Sequence, residues 1–146
     1  MTEVEDVKKL QIQQMYADPE SLIREMLKHE QADTATHHYF GPGIYIREVR
    51  LPAGSVVVGE EHKFALMNVL IKGRLSLLNP DGTETEVSGP YIYTSQPGRK
   101  IAFVHEEAIW LNIHATEETD IEKIEDHFVI KSQAALEHKK REEITQ

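Results

Sequence analysis

Residues 54–73 read GSVVVGEEHKFALMNVLIKG. Gly54, Gly59 and Gly73 bound two runs rich in Val, Leu and Ile, which pack well on a pleated surface, so strands are expected at 55–60 and 65–71. A period of two then places His62, Phe64 and Asn68 on one strand face. Working outward, further strands are expected at 43–50, 74–78, 84–87, 91–95, 100–105 and 108–115. Turn residues separate them: 51–54, Lys72-Gly73, Asn79-Pro80-Asp81-Gly82, Gly89-Pro90 and Pro97-Gly98. No helical pattern intervenes, so the strands predict an antiparallel sandwich or jelly roll.

All eight glycines lie between residues 41 and 98, and only Pro19 of the six prolines lies outside the same region. Both flanks are glycine-free and rich in Glu, Lys, Gln and Leu, as helices are. Val4, Val7 and Leu10 recur at helical spacing. Asp18 as N-cap with Pro19 at the first helical position opens a second helix whose apolar face is Leu22, Ile23, Met26 and Leu27. Residues 31–36 read as a linker, with His37 and His38 beside it as surface or subunit-interface residues. The C-terminal flank opens on Thr119-Asp120-Ile121-Glu122, which has the form of a capping box, and places Ile121, Ile124 and Phe128 on one face. A last helix is expected from 132 to about 143. The division expected is 1–36 helical, 37–116 barrel, 117–146 helical.

The chain has 146 residues, 40% hydrophobic and 28% charged, which fits one folded domain. It carries 16 Lys+Arg against 25 Asp+Glu, a formal charge of −9, which disfavours duplex nucleic acid as a partner. No apolar run approaches the ~20 residues of a membrane span. The acidic N-terminus has no secretory pattern, so a cytoplasmic location is expected. Without cysteine there is no disulfide, thiolate metal site or thiol nucleophile. Phosphate-loop, dinucleotide, zinc-protease and serine-hydrolase motifs are all missing.

The 54–73 segment resembles the first motif of the cupins, in which a glycine turn leads to a His-x-His pair, a carboxylate and a strand ending in glycine. The segment through Pro90, Pro97-Gly98 and Asn112 is similar to the second cupin motif. The resemblance covers roughly 43–115 and implies a single antiparallel β-barrel with helices before and after it. Cupin metal ligands converge inside the barrel. Only His62 matches one. Phe64 stands at the second histidine, Asn68 at the carboxylate, and Ile101 at the second motif's histidine. A replacement set would have to come from His62, His114, His105 and Glu60. The reading therefore assigns no metal, no cofactor and no catalytic residue.

A narrower resemblance is to short cupin-like proteins of tailed phages and prophages. It rests on residues 43–48, Glu61-His62-Lys63, Lys72-Gly73-Arg74, Pro90-Tyr91, residues 95–100 and residues 110–120. It implies the host cytoplasm as the setting and is silent on activity.

Trp110, Asn112 and His114 alternate with Leu111 and Ile113 and so share a strand face. An aromatic ring for stacking, an amide and an imidazole make a pocket wall. The expected ligand residues are His62, Phe64, Asn68, Trp110, Asn112 and His114, with the strand-end cations Arg74 and Lys100 as an anion-binding rim. The expected function is metal-free binding of a polar, nucleotide-derived metabolite, with sequestration of a host signalling molecule as its use. The alternatives are a metal-dependent cupin isomerase or oxygenase acting on a sugar or nucleotide-sugar, or one using His62 as general base, and a virion or assembly component. A homo-oligomer is expected from the helical faces Leu22/Met26 and Ile121/Ile124/Phe128.

Overall fold

The computed structural model describes residues 2–145. In chain order the elements are α1 (Glu3–Ala17), α2 (Pro19–Met26), β1 (Thr36–Gly41), β2 (Ile44–Leu51), β3 (Val56–Val58), β4 (Glu61–His62) and β5 (Leu66–Leu78). They continue with β6 (Glu84–Ser88), β7 (Tyr91–Ser95), β8 (Ile101–Ala115), α3 (Ile121–Phe128), β9 (Val129–Ile130) and α4 (Gln133–Thr145).

β5 and β8 run antiparallel from Met67↔Ile113 to Leu78↔Ile101 and are the spine of the fold. Residues 66–70 of β5 and 108–115 of β8 belong to one half-sheet, ordered β1-β2-β8-β5-β7. Their other halves build the second half-sheet, β3-β8-β5-β6. The two halves curl into one antiparallel β-barrel with helices before and after it.

The expected strands at 65–71 and 74–78 are one strand, as are those at 100–105 and 108–115. Lys72-Gly73 is not a turn but a bulge, with register shifts on both sides of Lys72. Gly73 has φ +106°, and a Cβ there would stand 2.6 Å from Ala108 Cα and from Glu107 O. Only glycine supplies both the angle and the close approach, so the bend sits here.

The barrel core is Leu51, Leu70, Leu75, Val87, Val104, Ala108 and Trp110. A second cluster, Ile12, Leu78 and Ile101 with Met15, Tyr16 and Leu22 packed against it, docks the N-terminal helices on the barrel. The Tyr16 hydroxyl donates to Leu78 O and accepts from Ile101 N. Val4, Val7 and Leu10 are exposed, because α1 turns its Ile12–Met15–Tyr16 face inward instead.

Asp18 caps α2 by accepting from Ser21 N at 3.1 Å, with Pro19 at the first position as expected. The N-cap of α3 is Asp120, which accepts from Glu122 N and Lys123 N; the box form anticipated at Thr119 is not used. Glu20 of α2 accepts from Ser132 Oγ and Gln133 N, both at 2.6 Å, and so joins the two helical flanks at the start of α4. The expected linker ends where β1 begins, at Thr36. His37 and His38 lie in that edge strand, and His38 Nδ1 is 2.7 Å from the Tyr45 hydroxyl. β9 pairs with β4 (Glu61↔Ile130, His62↔Val129), which brings α3 over the end of the barrel that holds His62.

Candidate functional site

Alternation on β2 sends Tyr45, Arg47, Val49 and Leu51 inward, and alternation on β8 does the same for Trp110, Asn112 and His114. Register sets Arg47 beside Asn112 and Asn112 beside Asn68 on three neighbouring strands. Arg47, Val49, Leu51, Trp110 and Asn112 of this set face a cavity of about 90 Å³. Its wall is apolar over Val49, Leu51, Val57, Leu75, Leu77 and Ala102, and polar over Arg47, Glu60, His62, Lys100, Trp110 and Asn112. An outer groove of about 540 Å³ continues from it past Arg47, Gly59 and Glu60 to Met26 and residues 29–32.

Behind the cavity wall Asn68 is fully buried and every polar atom of its side chain is engaged. Its Oδ1 accepts from Trp110 Nε1 at 3.1 Å and from Asn112 Nδ2 at 2.7 Å. Its Nδ2 donates to Ser95 Oγ at 3.0 Å and Leu66 O at 3.3 Å. Asn68 therefore orients Trp110 and Asn112 rather than meeting a ligand itself.

His62 and His114 stack with ring centroids 6.0 Å apart. The Tyr45 ring lies 5.7 Å from that of His114, and the Phe128 ring of α3 lies 4.6 Å from it. Burial first, then the nearby Lys100 and Arg47 and, for His62, also His114, lowers both histidines to about 4, so both rings are neutral at physiological pH. His62 Nδ1 is buried without a hydrogen-bond partner. Burial also pulls Lys100 down to about 8 and pushes the Glu60 carboxyl up. Lys100 Nζ sits 6.0 Å from the centroid of the Tyr93 ring.

Of the expected ligand residues, the structure brings His62, Trp110, Asn112 and Lys100 to the cavity. Asn68 and His114 stand behind them. Phe64 lies outside: it is 48% exposed and packs on His127 and Phe128, because the chain between β4 and β5 breaks the strand parity that aligned it with His62. Arg74 is at the outer bend, paired with Glu86 at 2.9 Å and Glu106 at 3.7 Å. Arg47 and Glu60 were missing from the expected ligand set. Arg47 shares parity with Tyr45, Val49 and Leu51, and that pattern marks it as inward-facing.

A cupin-type metal does not fit these residues. Ile101 is fully buried, the Asn68 amide is committed to its neighbours, and Phe64 points away. His105 is on the other side of β8 from the cavity, with Nε2 2.6 Å from Ser76 Oγ. Among the described residues no group of three or more His, Asp or Glu side chains is placed to hold a metal ion.

No protein-family model matches the chain, and no curated protein matches it. Solved structures do. An ectoine synthase from P. lautus superposes with a TM-score of 0.53 at 9% identity, over 70% of this chain and 78% of that one. A cupin domain from Bordetella pertussis Tohama I gives 0.47 at 17% identity, over 60% of this chain and 98% of that one. KdgF from Halomonas sp. gives 0.48 at 12% identity, over 64% and 94%. Among the described residues no helix is long and apolar enough to cross a membrane. At such identities the likeness speaks for architecture alone: the chain has a cupin-like fold, a single antiparallel barrel of the jelly-roll type with helices before and after it.

Proposed function

We propose that this protein binds a small polar metabolite through an anionic end group held inside the barrel. The observation that carries the reading is the placement of two cations, Arg47 and Lys100, on the wall of a mostly apolar cavity. Glu60, the carboxyl that lines the same cavity, has its charge disfavoured by burial. Guanidinium and ammonium groups on a mostly apolar wall recognise a carboxylate or phosphate, and the Asn112 amide and Trp110 ring add orientation. About 90 Å³ is far below the ~300 Å³ of an ordinary small-molecule site, so only an end group enters. A nucleotide-derived ligand fits this reading with its body in the outer groove. A phage setting, with sequestration of a host metabolite, rests on the sequence resemblance alone.

An enzyme using His62 as general base is the second reading, favoured by its ring lining the cavity. A base whose conjugate acid titrates near 4 is weak at neutral pH, so the binding reading is preferred.

Self-association belongs to the same proposal but on a different surface. The helical faces expected to mediate it are used within the protomer, where Leu22 packs in the second core cluster and Ile124 is buried. The outer face of the β2-β8-β5-β7 half-sheet is open instead, with Met67, Ile71 and Ile92 43–63% exposed. A second copy of this face would cover them.

Native mass spectrometry of the purified protein, with thermal shifts in acetate and phosphate, tests both points. A dimer and a saturable stabilisation by one anion, lost in Arg47→Met, are expected. A monomer would remove the self-association, and equal shifts in wild type and Arg47→Met would remove the anion site.

A further inference from the structure

We propose that Lys100 is a carbonyl-capturing nucleophile, whose ε-amine forms an imine with a small 2-oxo acid while Arg47 holds the acid's carboxylate. This rests on the binding reading above and names its ligand class.

Lys100 and Arg47 line the same cavity, and apolar side chains from three strands (Val49, Val57, Leu75) close the wall around them. Both cations also act on the same two buried histidines, His62 and His114, and a 2-oxo acid carries the two groups such a pair would take: a carboxylate for the guanidinium and, one bond away, an electrophilic carbonyl carbon for the amine. The cavity sets the size of the part that enters it. About 90 Å³, against the roughly 150 Å³ that holds benzene, admits a two- or three-carbon acid group and keeps a sugar ring out of the inner cavity. The apolar wall also limits the water that would hydrolyse an imine.

The remaining requirement is a neutral amine. Burial lowers Lys100 to about 8. Near pH 7.5 about a quarter of it is therefore neutral, against on the order of 0.1% for an ordinary lysine. The Nζ lone pair attacks the carbonyl carbon and a C–N bond forms. The C=O π pair moves to oxygen, which takes a proton and leaves a carbinolamine. A second proton on that hydroxyl releases water as the nitrogen lone pair closes the C=N bond, and the amine's two protons are returned. The sum is amine plus carbonyl giving imine plus water, with no oxidant or reductant. The carboxyl of Glu60 is in the same cavity to carry these protons.

Reductive trapping tests this. The folded protein is incubated with glyoxylate or pyruvate and cyanoborohydride, and the adducts are counted by intact mass and mapped to peptides. One adduct is expected, at Lys100, formed at least tenfold faster than at any other lysine. It should vanish in Lys100→Arg, or in Lys100→Met should the arginine variant not fold. Labelling spread over several lysines and unchanged by either substitution would overturn the proposal. Acetate and lactate, which lack the carbonyl, separate the two readings. If they stabilise the wild type while glyoxylate leaves Lys100 unlabelled, the anion site stands and the imine falls. If no acid stabilises or labels the protein, both fall.

Discussion

Asn68→Ala is expected to lower the melting temperature by about 10 °C with the barrel topology retained. The side chain is fully buried and holds Trp110 Nε1, Asn112 Nδ2 and Ser95 Oγ through its two polar atoms. Alanine removes these bonds and leaves two N–H donors in a site where each unsatisfied group costs about 1–3 kcal/mol. The cavity left by the amide adds to the loss, partly relieved by water entering from the adjoining pocket. A total near 3–4 kcal/mol at roughly 3 °C per kcal/mol gives the stated shift. Asn112→Ala should cost about 1–2 kcal/mol, since Asn68 Oδ1 keeps its bond from Trp110. Calorimetry of both variants checks this, and equal melting points for Asn68→Ala and the wild type would show that the network contributes nothing net.

Acid should destabilise the protein steeply between pH 6.5 and pH 4. Buried His62 and His114 resist protonation down to about 4, whereas the unfolded chain takes both protons near 6.5. Above 6.5 neither state is protonated, and the two rings add no pH dependence. As pH falls through the window the unfolded state binds more protons, so stability drops, by about 1.4 kcal/mol per unit for each ring at most. Coupling between the stacked rings and partial solvent screening reduce the sum to roughly 3 kcal/mol at pH 4. Lys100, lowered to about 8, has completed its change before this window and adds no slope. Glu60, raised by burial, works in the opposite sense and offsets part of the loss. Urea unfolding from pH 7 to 4 should therefore show a falling midpoint that flattens in a His62→Gln/His114→Asn double variant. The same slope in that variant would assign the acid sensitivity to carboxylates.

The strand rhythm was legible because turn residues punctuate it: 91–95 and 84–87 emerge almost unchanged as β7 and β6. Gly73 was misread because a positive-φ glycine serves a bulge as well as a turn, and only the partner strand's Glu107 and Ala108 distinguish them. β1 gave no signal. It is an edge strand, exposed at every position but His38, so it has no alternation to read. On α1 two apolar faces compete, Val4/Val7/Leu10 and Ile12/Met15/Tyr16, and spacing alone cannot choose between them. Tertiary contact with Leu78 and Ile101 chooses the second.

For the site, parity on β8 puts Trp110, Asn112 and His114 on one face, as in the structure. Phe64 was lost because β4 and β5 are separate strands, so alternation does not carry across residues 63–65. Arg47 is absent from the expected set, although its neighbours at the same parity are all inward. Asn68 and Asn112 looked equivalent in sequence. Register separates them: one is the hub that the other bonds to.

Trp110 is the only tryptophan in the chain and lines the cavity, so its indole N–H resonance is a unique reporter of events there. Titrating the ¹⁵N-labelled protein with acetate, against chloride at equal ionic strength, tests anion binding in the barrel most directly. A saturable shift of the Trp110 indole signal in acetate alone, abolished in Arg47→Met while the resting signal of that variant stays near the wild-type position, is the result predicted. An indole signal that does not move in acetate, or moves equally in Arg47→Met, would contradict it.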